Sequence, residues 1–255
     1  MSGVALPMQS SPVERLREGE LEEARSLQLA LVAVEPVRGE TVEVASKFRP
    51  YAAVSGDFLD MFWLSDGRLG FYLGDVVGKG LPAAMYAALA VGTLRGVKKT
   101  GEEPKDVLEL LNRRLGMRMP PSRYCAVQYG VFYPPTRQLW YANAGLPRPV
   151  HITAGGCREL GEGGLPSGLF PNTHYDPQTA QLNPGDSVLF STDGLLEAQN
   201  SANEEFGVER LLEVCAGLCG QPAHIALERV FQAVDGFTLT APQHDDMTAV
   251  VLKLA

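Results

Sequence analysis

Two apolar segments separated by a short turn constrain the fold of this chain more than any other feature. Residues 58–64 and 69–76 are rich in aromatic and aliphatic side chains, and Ser65-Asp66-Gly67-Arg68 lies between them. An Asp-Gly pair between two apolar runs is a strong β-hairpin signal. A second hairpin is predicted to join residues 124–133 to residues 138–143. Tight hairpins join antiparallel strands, because parallel neighbours need a long crossover connection.

The rest of the chain contains both helical and extended patterns. We predict helices over residues 16–34, 81–97, 105–117, 208–218 and 222–233, and further strands over residues 41–48, 149–153, 187–191 and 247–254. Residues 155–168 are rich in glycine and are predicted to form a loop. A doubly wound parallel sheet would alternate strand and helix throughout, so the pattern favours antiparallel sheets covered by helices, an α+β fold.

Composition and charge narrow the class of function. The 255 residues are 45% hydrophobic and 20% charged, with a net charge of −8. A nucleic-acid-binding protein normally has a basic excess, so a nucleic-acid partner is disfavoured. The N-terminus does not resemble a signal peptide, and the longest apolar stretch, residues 81–94, is shorter than the ~20 residues that a spanning helix needs. We therefore expect a cytoplasmic protein without a membrane partner.

Spacing disfavours two other kinds of site. The four cysteines do not form the Cys-x-x-Cys pairs of a zinc site, so buried or half-buried free thiols are expected. Gly78-Lys79-Gly80 precedes a predicted helix, but only three residues separate Gly74 from Gly78, where a nucleotide-binding P-loop has four. Gly80 also replaces the Ser or Thr of that loop. Nucleotide binding is therefore disfavoured, and Lys79 is expected to be solvated.

Acidic residues recur at the ends of predicted strands. They are Asp57, Asp75, Asp193 and the pair Asp245-Asp246. Any one of them is more simply interpreted as a turn former. Carboxylates that gather at one place repel each other unless cations lie between them. Hard oxygen ligands favour Mg²⁺ or Mn²⁺, and a pair of such ions can activate a water for attack on phosphorus.

The first hairpin bears directly on two of these aspartates. With a two-residue turn at Asp66-Gly67, Asp57 lies opposite Val76 and next to Asp75. Strict alternation then puts the two carboxylates on opposite faces of the sheet. A longer turn or a β-bulge would bring them to the same face. The sequence leaves these alternatives open.

The order of several motifs resembles that of a known family. Residues 55–60 (SGDFLD) resemble a GGDFYD segment, and residues 74–84 (GDVVGKGLPAA) resemble a GDVSGKGxPAA segment. Residues 183–198 match xPGD and TDGLTEA, residues 206–211 match FGxERL, and residues 245–248 match DDMT. This ordered set resembles the SpoIIE/RsbU branch of the bacterial PP2C metal-dependent protein phosphatases, from about residue 20 to the C-terminus.

The resemblance implies a PP2C-like fold, a sandwich of two antiparallel β-sheets flanked by helices (αββα). We expect two parts. Residues 1–38 contain a disordered start, residues 1–15, and an amphipathic linker or switch helix, and a phosphatase domain spans residues 39–255. Ala24, Gln28 and Leu31 resemble the AxxxQxxL helix that precedes such domains. The sequence does not decide whether this helix packs on its own domain or binds an activator protein or a second copy.

The resemblance further implies a binuclear Mn²⁺/Mg²⁺ centre. The implied catalytic residues are Asp57, Asp75 and Asp193, and the implied metal ligands are these three with the backbone carbonyl of Val76 and Asp245 or Asp246. Asp75 would bridge the two ions, and Asp245 is the favoured ligand of the last pair. A water activated by this centre would hydrolyse phosphoserine or phosphothreonine in a protein substrate, with no phosphoenzyme.

Family substrates are often phosphorylated anti-anti-sigma factors with a STAS domain, which makes such a phosphoprotein the expected partner. Ser55, Val77 and Leu146 depart from the family motifs, and they bear on substrate choice and rate because none is an implied ligand. The alternative function is a catalytically weak or inactive regulatory module that keeps the fold and binds a phosphoprotein.

Overall fold

The computed structural model describes residues 12–32, 35–97, 102–117 and 122–255. The strands in these ranges are β1 (Val37–Arg38), β2 (Val42–Arg49), β3 (Phe58–Trp63), β4 (Leu69–Val76), β5 (Cys125–Tyr133), β6 (Gln138–Ala144), β7 (Val150–Thr153), β8 (Gly156–Glu159), β9 (Gln178–Gln181), β10 (Ser187–Ser191) and β11 (Met247–Leu254). The helices are α1 (Pro12–Val32), α2 (Leu81–Val97), α3 (Pro104–Gly116), α4 (Asp193–Leu196), α5 (Gly207–Cys215) and α6 (Ala223–Thr238).

The strands form two stacked sheets, and each pair of neighbouring strands described is antiparallel. One sheet has the order β1-β2-β11-β10-β7-β8, and the other has the order β3-β4-β5-β6-β9. Helices α2 and α3 cover the outer face of the five-stranded sheet, while α5 and α6 cover the outer face of the six-stranded sheet. The predicted αββα sandwich is therefore confirmed.

Alternation along the strands fills the space between the sheets. Leu69, Phe71 and Leu73 of β4 point towards Val188 and Phe190 of β10, because every second residue of a strand faces the same side. The rings of Phe71 and Phe190 meet edge to face with their centroids 4.7 Å apart, which is a favourable aromatic geometry. This apolar layer holds the two sheets together and leaves their ends free for polar residues.

The turn between β3 and β4 decides which residues face each other at the far end of the hairpin. Leu64 N–H donates to the carbonyl of Arg68 at 2.8 Å, so residues 65–67 form a three-residue loop. Gly67 lies at φ +83°, in the left-handed region that glycine adopts most easily. Phe58 consequently pairs with Gly74. The β3–β4 turn is therefore longer than two residues, which is the alternative that brings Asp57 and Asp75 to the same face.

The predicted elements agree with the structure except for short ones. The predicted loop over residues 155–168 contains β8, and three further short elements, β1, β9 and α4, were not predicted. Helix α1 begins at Pro12, so the predicted disorder is wrong for residues 12–15 and lies outside the described residues for 1–11. No described helix has the length and apolar character needed to cross a membrane.

Within residues 16–32, helix α1 contacts the rest of the chain through its last turns. Ala24, Gln28 and Leu31 are half-buried and Val32 is buried, whereas residues 16–23 are exposed. Gln28 holds residue 55 from both sides, because its amide donates to the carbonyl of Ser55 at 2.6 Å and accepts from the Ser55 N–H at 2.8 Å. The C-terminal half of the helix therefore packs on its own domain.

The layer between the sheets gives a direct test of this packing. We expect Phe190→Ala to lower the free energy of unfolding by ~3–5 kcal/mol, because it removes a fully buried ring and leaves a cavity beside Phe71. Phe170, which is 51% exposed, is the matched control, and Phe170→Ala should cost less than ~1 kcal/mol. Urea unfolding followed by circular dichroism measures both, and equal losses would contradict the assigned core.

Candidate active site

The acidic segments singled out from the sequence meet at one end of the sandwich. Asp57 precedes β3 and Asp75 lies near the end of β4, where the two strands are directly paired. Asp193 follows β10, and Asp245 and Asp246 precede β11, which pairs with β10. Two adjacent strand ends from each sheet thus supply the cluster.

Asp57 is fixed between the sheets by two threonine hydroxyls. Its Oδ2 accepts hydrogen bonds from Thr192 Oγ1 at 2.9 Å and from Thr248 Oγ1 at 2.5 Å. Asp57 is 1% exposed, and its carboxylate comes from the five-stranded sheet while both hydroxyls come from the six-stranded one. These contacts fasten the two sheets together at the acidic end.

Asp75 lies across the hairpin from Asp57, on the same face. One step beyond the Phe58–Gly74 pair, the β3–β4 register puts Asp57 opposite Asp75, and residues directly opposite each other share a face. Burial, followed by the charges of Asp193 and Asp245, raises the pKa of Asp75 to about 8, although a hydrogen bond with Asp57 acts in the opposite direction.

The other members of the cluster experience the same repulsion. Burial and the charges of Asp75 and Asp246 raise the pKa of Asp57 well above its ordinary value. Burial and the charge of Asp245 also raise the pKa of Asp193. The folded protein therefore holds several carboxylates in an environment that disfavours their charged form and favours a compensating cation.

Asp245 and Asp246 are adjacent in sequence but make different contacts. The carboxylate of Asp246 accepts from Tyr51 N–H at 2.7 Å and from Gly56 N–H at 2.9 Å, so both of its oxygens hold the loop before β3. Asp245 uses one oxygen to accept from the N–H of Asp246 at 2.9 Å, and its other oxygen lies 3.0 Å from Lys79 Nζ. Only Asp245 directs a carboxylate oxygen away from the backbone.

The sequence predicted a solvated Lys79, but the structure shows this side chain in contact with the cluster. Its ammonium group pairs with Asp245, donates to the carbonyl of His244 and lies 5.1 Å from the ring centroid of Tyr51. It also lowers the pKa of Asp193 against the larger effect of burial. A side-chain cation from the loop before α2 thus offsets part of the charge of the cluster.

The cluster fits hard divalent cations in charge and in the type of its donors. Among the described residues, no three histidine, cysteine, aspartate or glutamate side chains are arranged as they stand to hold one ion. The carboxylates of Asp57, Asp245 and Asp246 contact hydroxyls, backbone N–H groups or Lys79. A Cβ on Gly56 would lie 3.0 Å from the carbonyl oxygen of Val76 and 3.1 Å from Asp75 Oδ1. Glycine at this position keeps the space beside both oxygens open.

Several residues of the site were not identified from the sequence. Thr192 and Thr248 lie within motifs that were noticed only for their aspartates, and their hydrogen bonds to Asp57 cross between strands far apart in the chain. Gln28 belongs to the helix motif of the family, but nothing in the sequence indicated that it binds the backbone of Ser55. Distant pairings of this kind have no local signal in the sequence.

The raised pKa of Asp75 has a consequence for stability without metal. Between its ordinary value of 3.8 and about 8, Asp75 keeps its proton in the folded protein and loses it in the unfolded chain. Stability therefore falls as the pH rises through this window, because the folded state binds more protons there. In excess chelator we expect Asp75→Asn to raise Tm at pH 8 by ~3 °C or more. The variant should also show a smaller fall in Tm between pH 5 and pH 8 than the wild type.

Thermal unfolding from pH 5 to pH 8 measures this effect, with Asp66→Asn in the exposed β3–β4 turn as the control. An Asp75→Asn variant that is less stable than wild type at pH 8 would contradict the repulsion described above.

The different contacts of Asp245 and Asp246 also give separate expectations. Asp246→Asn should lower the free energy of unfolding by ~1–3 kcal/mol, because the remaining side-chain oxygen can replace only one of the two acceptors of the Tyr51 and Gly56 N–H groups. Asp245→Asn should change stability by less than ~1 kcal/mol and should weaken the stabilisation that added Mn²⁺ provides. Thermal and urea unfolding with and without Mn²⁺ separates the two, and identical behaviour of the variants would refute the assignment.

Relatives of this chain agree with the motifs and the fold. Residues 65–255 match the family model described as Stage II sporulation protein E (SpoIIE). The chain is 26% identical to Protein IcfG of Synechocystis sp. over 262 residues, which cover 91% of this chain and 41% of that protein. It is 24% identical to Phosphoserine phosphatase RsbU of Bacillus subtilis over 243 residues, which cover 92% of this chain and 70% of that protein. The chain thus spans less than half the length of IcfG.

Solved structures have the same architecture. The SiaA-PP2C domain of Pseudomonas aeruginosa superposes with a TM-score of 0.83 at 18% identity. The match covers 96% of this chain and 100% of the SiaA domain. RsbX in complex with magnesium superposes with a TM-score of 0.67 at 17% identity, covering 87% of this chain and 99% of that one. The match to the family model over most of the chain shows that the protein belongs to the SpoIIE family, and its fold is that of the PP2C-domain structures.

Proposed function

We propose that this protein is a metal-dependent protein serine/threonine phosphatase. The observation that carries the proposal is the carboxylate cluster at the end of the sandwich, where burial and mutual repulsion raise the pKa of Asp57, Asp75 and Asp193. Such a cluster is costly to fold unless it binds cations. Hydrolysis of a phosphoryl group is a reaction that paired hard cations assist.

We propose the ligands from the family motifs, and we distinguish Asp245 from Asp246 by their contacts. Asp75, Asp57, Asp193 and the carbonyl of Val76 are proposed to hold two Mn²⁺ or Mg²⁺ ions, with Asp245 as a further ligand. Asp246 is the weaker candidate, because both of its oxygens are occupied by backbone N–H groups. The magnesium in the RsbX complex supports a hard divalent metal for this fold. When bound, the ions would lower the pKa of a water and stabilise charge on the phosphoryl group.

The residues of the chain would position and balance this chemistry. Thr192 and Thr248 hold Asp57 in one orientation, since both hydroxyls donate to the same oxygen. Asp246 holds the loop before β3 in place through Gly56. Lys79, which is tethered to Asp245, would balance charge when cations are absent.

The proposed substrate is a phosphorylated serine or threonine in a protein. The name of RsbU, a phosphoserine phosphatase, supports this class of substrate. We further propose a STAS-type anti-anti-sigma regulator as the phosphoprotein, on the basis of the family motifs. The exposed residues 16–23 of α1 are proposed to bind an activator protein or a second copy of the chain, because so short a helical segment is only marginally stable on its own in water.

Metal-dependent hydrolysis tests the proposal directly. Wild-type protein should hydrolyse p-nitrophenyl phosphate and a phosphoserine peptide with Mn²⁺ or Mg²⁺, and excess chelator should abolish the activity. Asp75→Asn should lower kcat/KM by at least ~100-fold, since it removes a ligand from ions worth several kcal/mol to the transition state.

Asp66→Asn, which changes an exposed aspartate at the opposite end of the β3–β4 hairpin, should retain wild-type activity. Activity that persists unchanged in excess chelator would refute the proposal. Tight binding of a phosphoprotein without turnover under any metal would instead support the regulatory module.

A further inference from the structure

A groove runs from the carboxylate cluster along the surface of the sandwich. It has a volume of about 530 Å³ and shares Asp193 with the cluster. Its walls come from the turn after β6, the segment after β8, helix α4 and the start of α5. A phosphorylated residue placed at the cluster would therefore have its neighbours in the chain next to this groove.

The groove combines apolar walls with an acidic rim. Leu146, Pro147, Leu196 and Val208 supply the apolar surface. The charged residues that line it beside Asp193 are Arg148, Glu159, Glu162, Glu197 and Glu205.

Most of the acidic charge of the rim is not neutralised within the protein. Arg148 Nη2 lies 2.5 Å from Glu159 Oε2, so this pair contributes little net charge. Glu162, Glu197 and Glu205 have no ion-pair partner within the part of the chain that the structure describes. Burial and the neighbouring charges of Asp193 and Glu205 raise the pKa of Glu197. The groove is thus a region of negative potential that a cationic group would relieve.

The arrangement suits a side chain that is apolar along its length and positively charged at its end. Lysine and arginine have this character, because their methylene stems pack on apolar surface while their charged heads stay near water. The rim glutamates come from three separate segments, before α5, after α4 and after β8. Two of them, Glu197 and Glu205, lie close enough to repel each other, so a cationic side chain near them would relieve both charges.

We propose that this groove binds the polypeptide that flanks the phosphorylated residue, and that Glu162, Glu197 and Glu205 select substrates with lysine or arginine beside that residue. The inference rests on the proposed phosphatase function and adds the class of sequence that the site prefers. The rim glutamates determine specificity, and they take no part in the hydrolysis itself.

Two phosphoserine peptides test this selection. They have the same length and differ only in two residues on each side of the phosphoserine, lysine in one and glutamate in the other. At low salt, wild-type protein with Mn²⁺ should show kcat/KM higher by ~3- to 10-fold for the lysine peptide, as expected for a few exposed ion pairs. The ratio should decrease as salt is added, because exposed charges are screened.

The double variant Glu162→Lys with Glu205→Lys should lose or invert this ratio. Taking the ratio of two peptides removes any effect of the substitutions that is common to both. Glu213→Lys is the matched control, because Glu213 is an exposed glutamate of α5 that does not line the groove. That variant should keep the wild-type ratio.

Fluorescence anisotropy with labelled forms of the same peptides gives the preference as a ratio of dissociation constants, independently of turnover. Equal binding of the two peptides, a preference for the glutamate peptide, or the same change in ratio for Glu213→Lys would overturn the inference. A protein that hydrolyses p-nitrophenyl phosphate but shows no lysine preference would leave the proposed function intact. Absence of all metal-dependent hydrolysis would refute the proposed function, while the anisotropy ratio would still decide whether the groove selects basic segments.

Discussion

Repulsion among buried carboxylates is the constraint on which the rest of this structure depends. Burial raises the pKa of Asp57 and of its direct neighbour Asp75. The charge of Asp75 raises the pKa of Asp57 further, and the charges of Asp193 and Asp245 do the same for Asp75. The protein partly offsets this cost with hydroxyl donors and one lysine. What remains uncompensated is the free energy that divalent cations would supply on binding.

The sandwich is what makes such a concentration of charge compatible with folding. An apolar layer centred on Phe71 and Phe190 holds the two sheets in contact. At one end of the sandwich, Thr192 and Thr248 reach across from the six-stranded sheet to Asp57. The apolar layer in the middle of the molecule supplies stability, and the carboxylate cluster lies where the strands end. The groove beside Asp193 also separates apolar from charged residues, because its walls are apolar and its rim is charged.

The elements that sequence patterns did not predict are short. Strands β8 and β9 have four residues each, and α4 has four as well. A segment of that length is too short to show a period of two or of 3.6, so tertiary contacts decide its conformation. The long elements were predicted well, because α2, β10 and β11 bury enough apolar residues for the pattern to be clear.

The sequence by itself determined the fold class, the family and the set of aspartates from which the site is built. Hairpin turns specify antiparallel pairing from local residues. The family motifs are also visible in the sequence, because their order along the chain does not require knowledge of their positions in space. Only the tertiary structure decided how the aspartates face each other. One extra residue in the β3–β4 turn reverses the face of every following side chain relative to its partner, which is why Asp57 and Asp75 converge. The contacts that distinguish Asp245 from Asp246 likewise join residues distant in sequence, and the local pattern contains no trace of them.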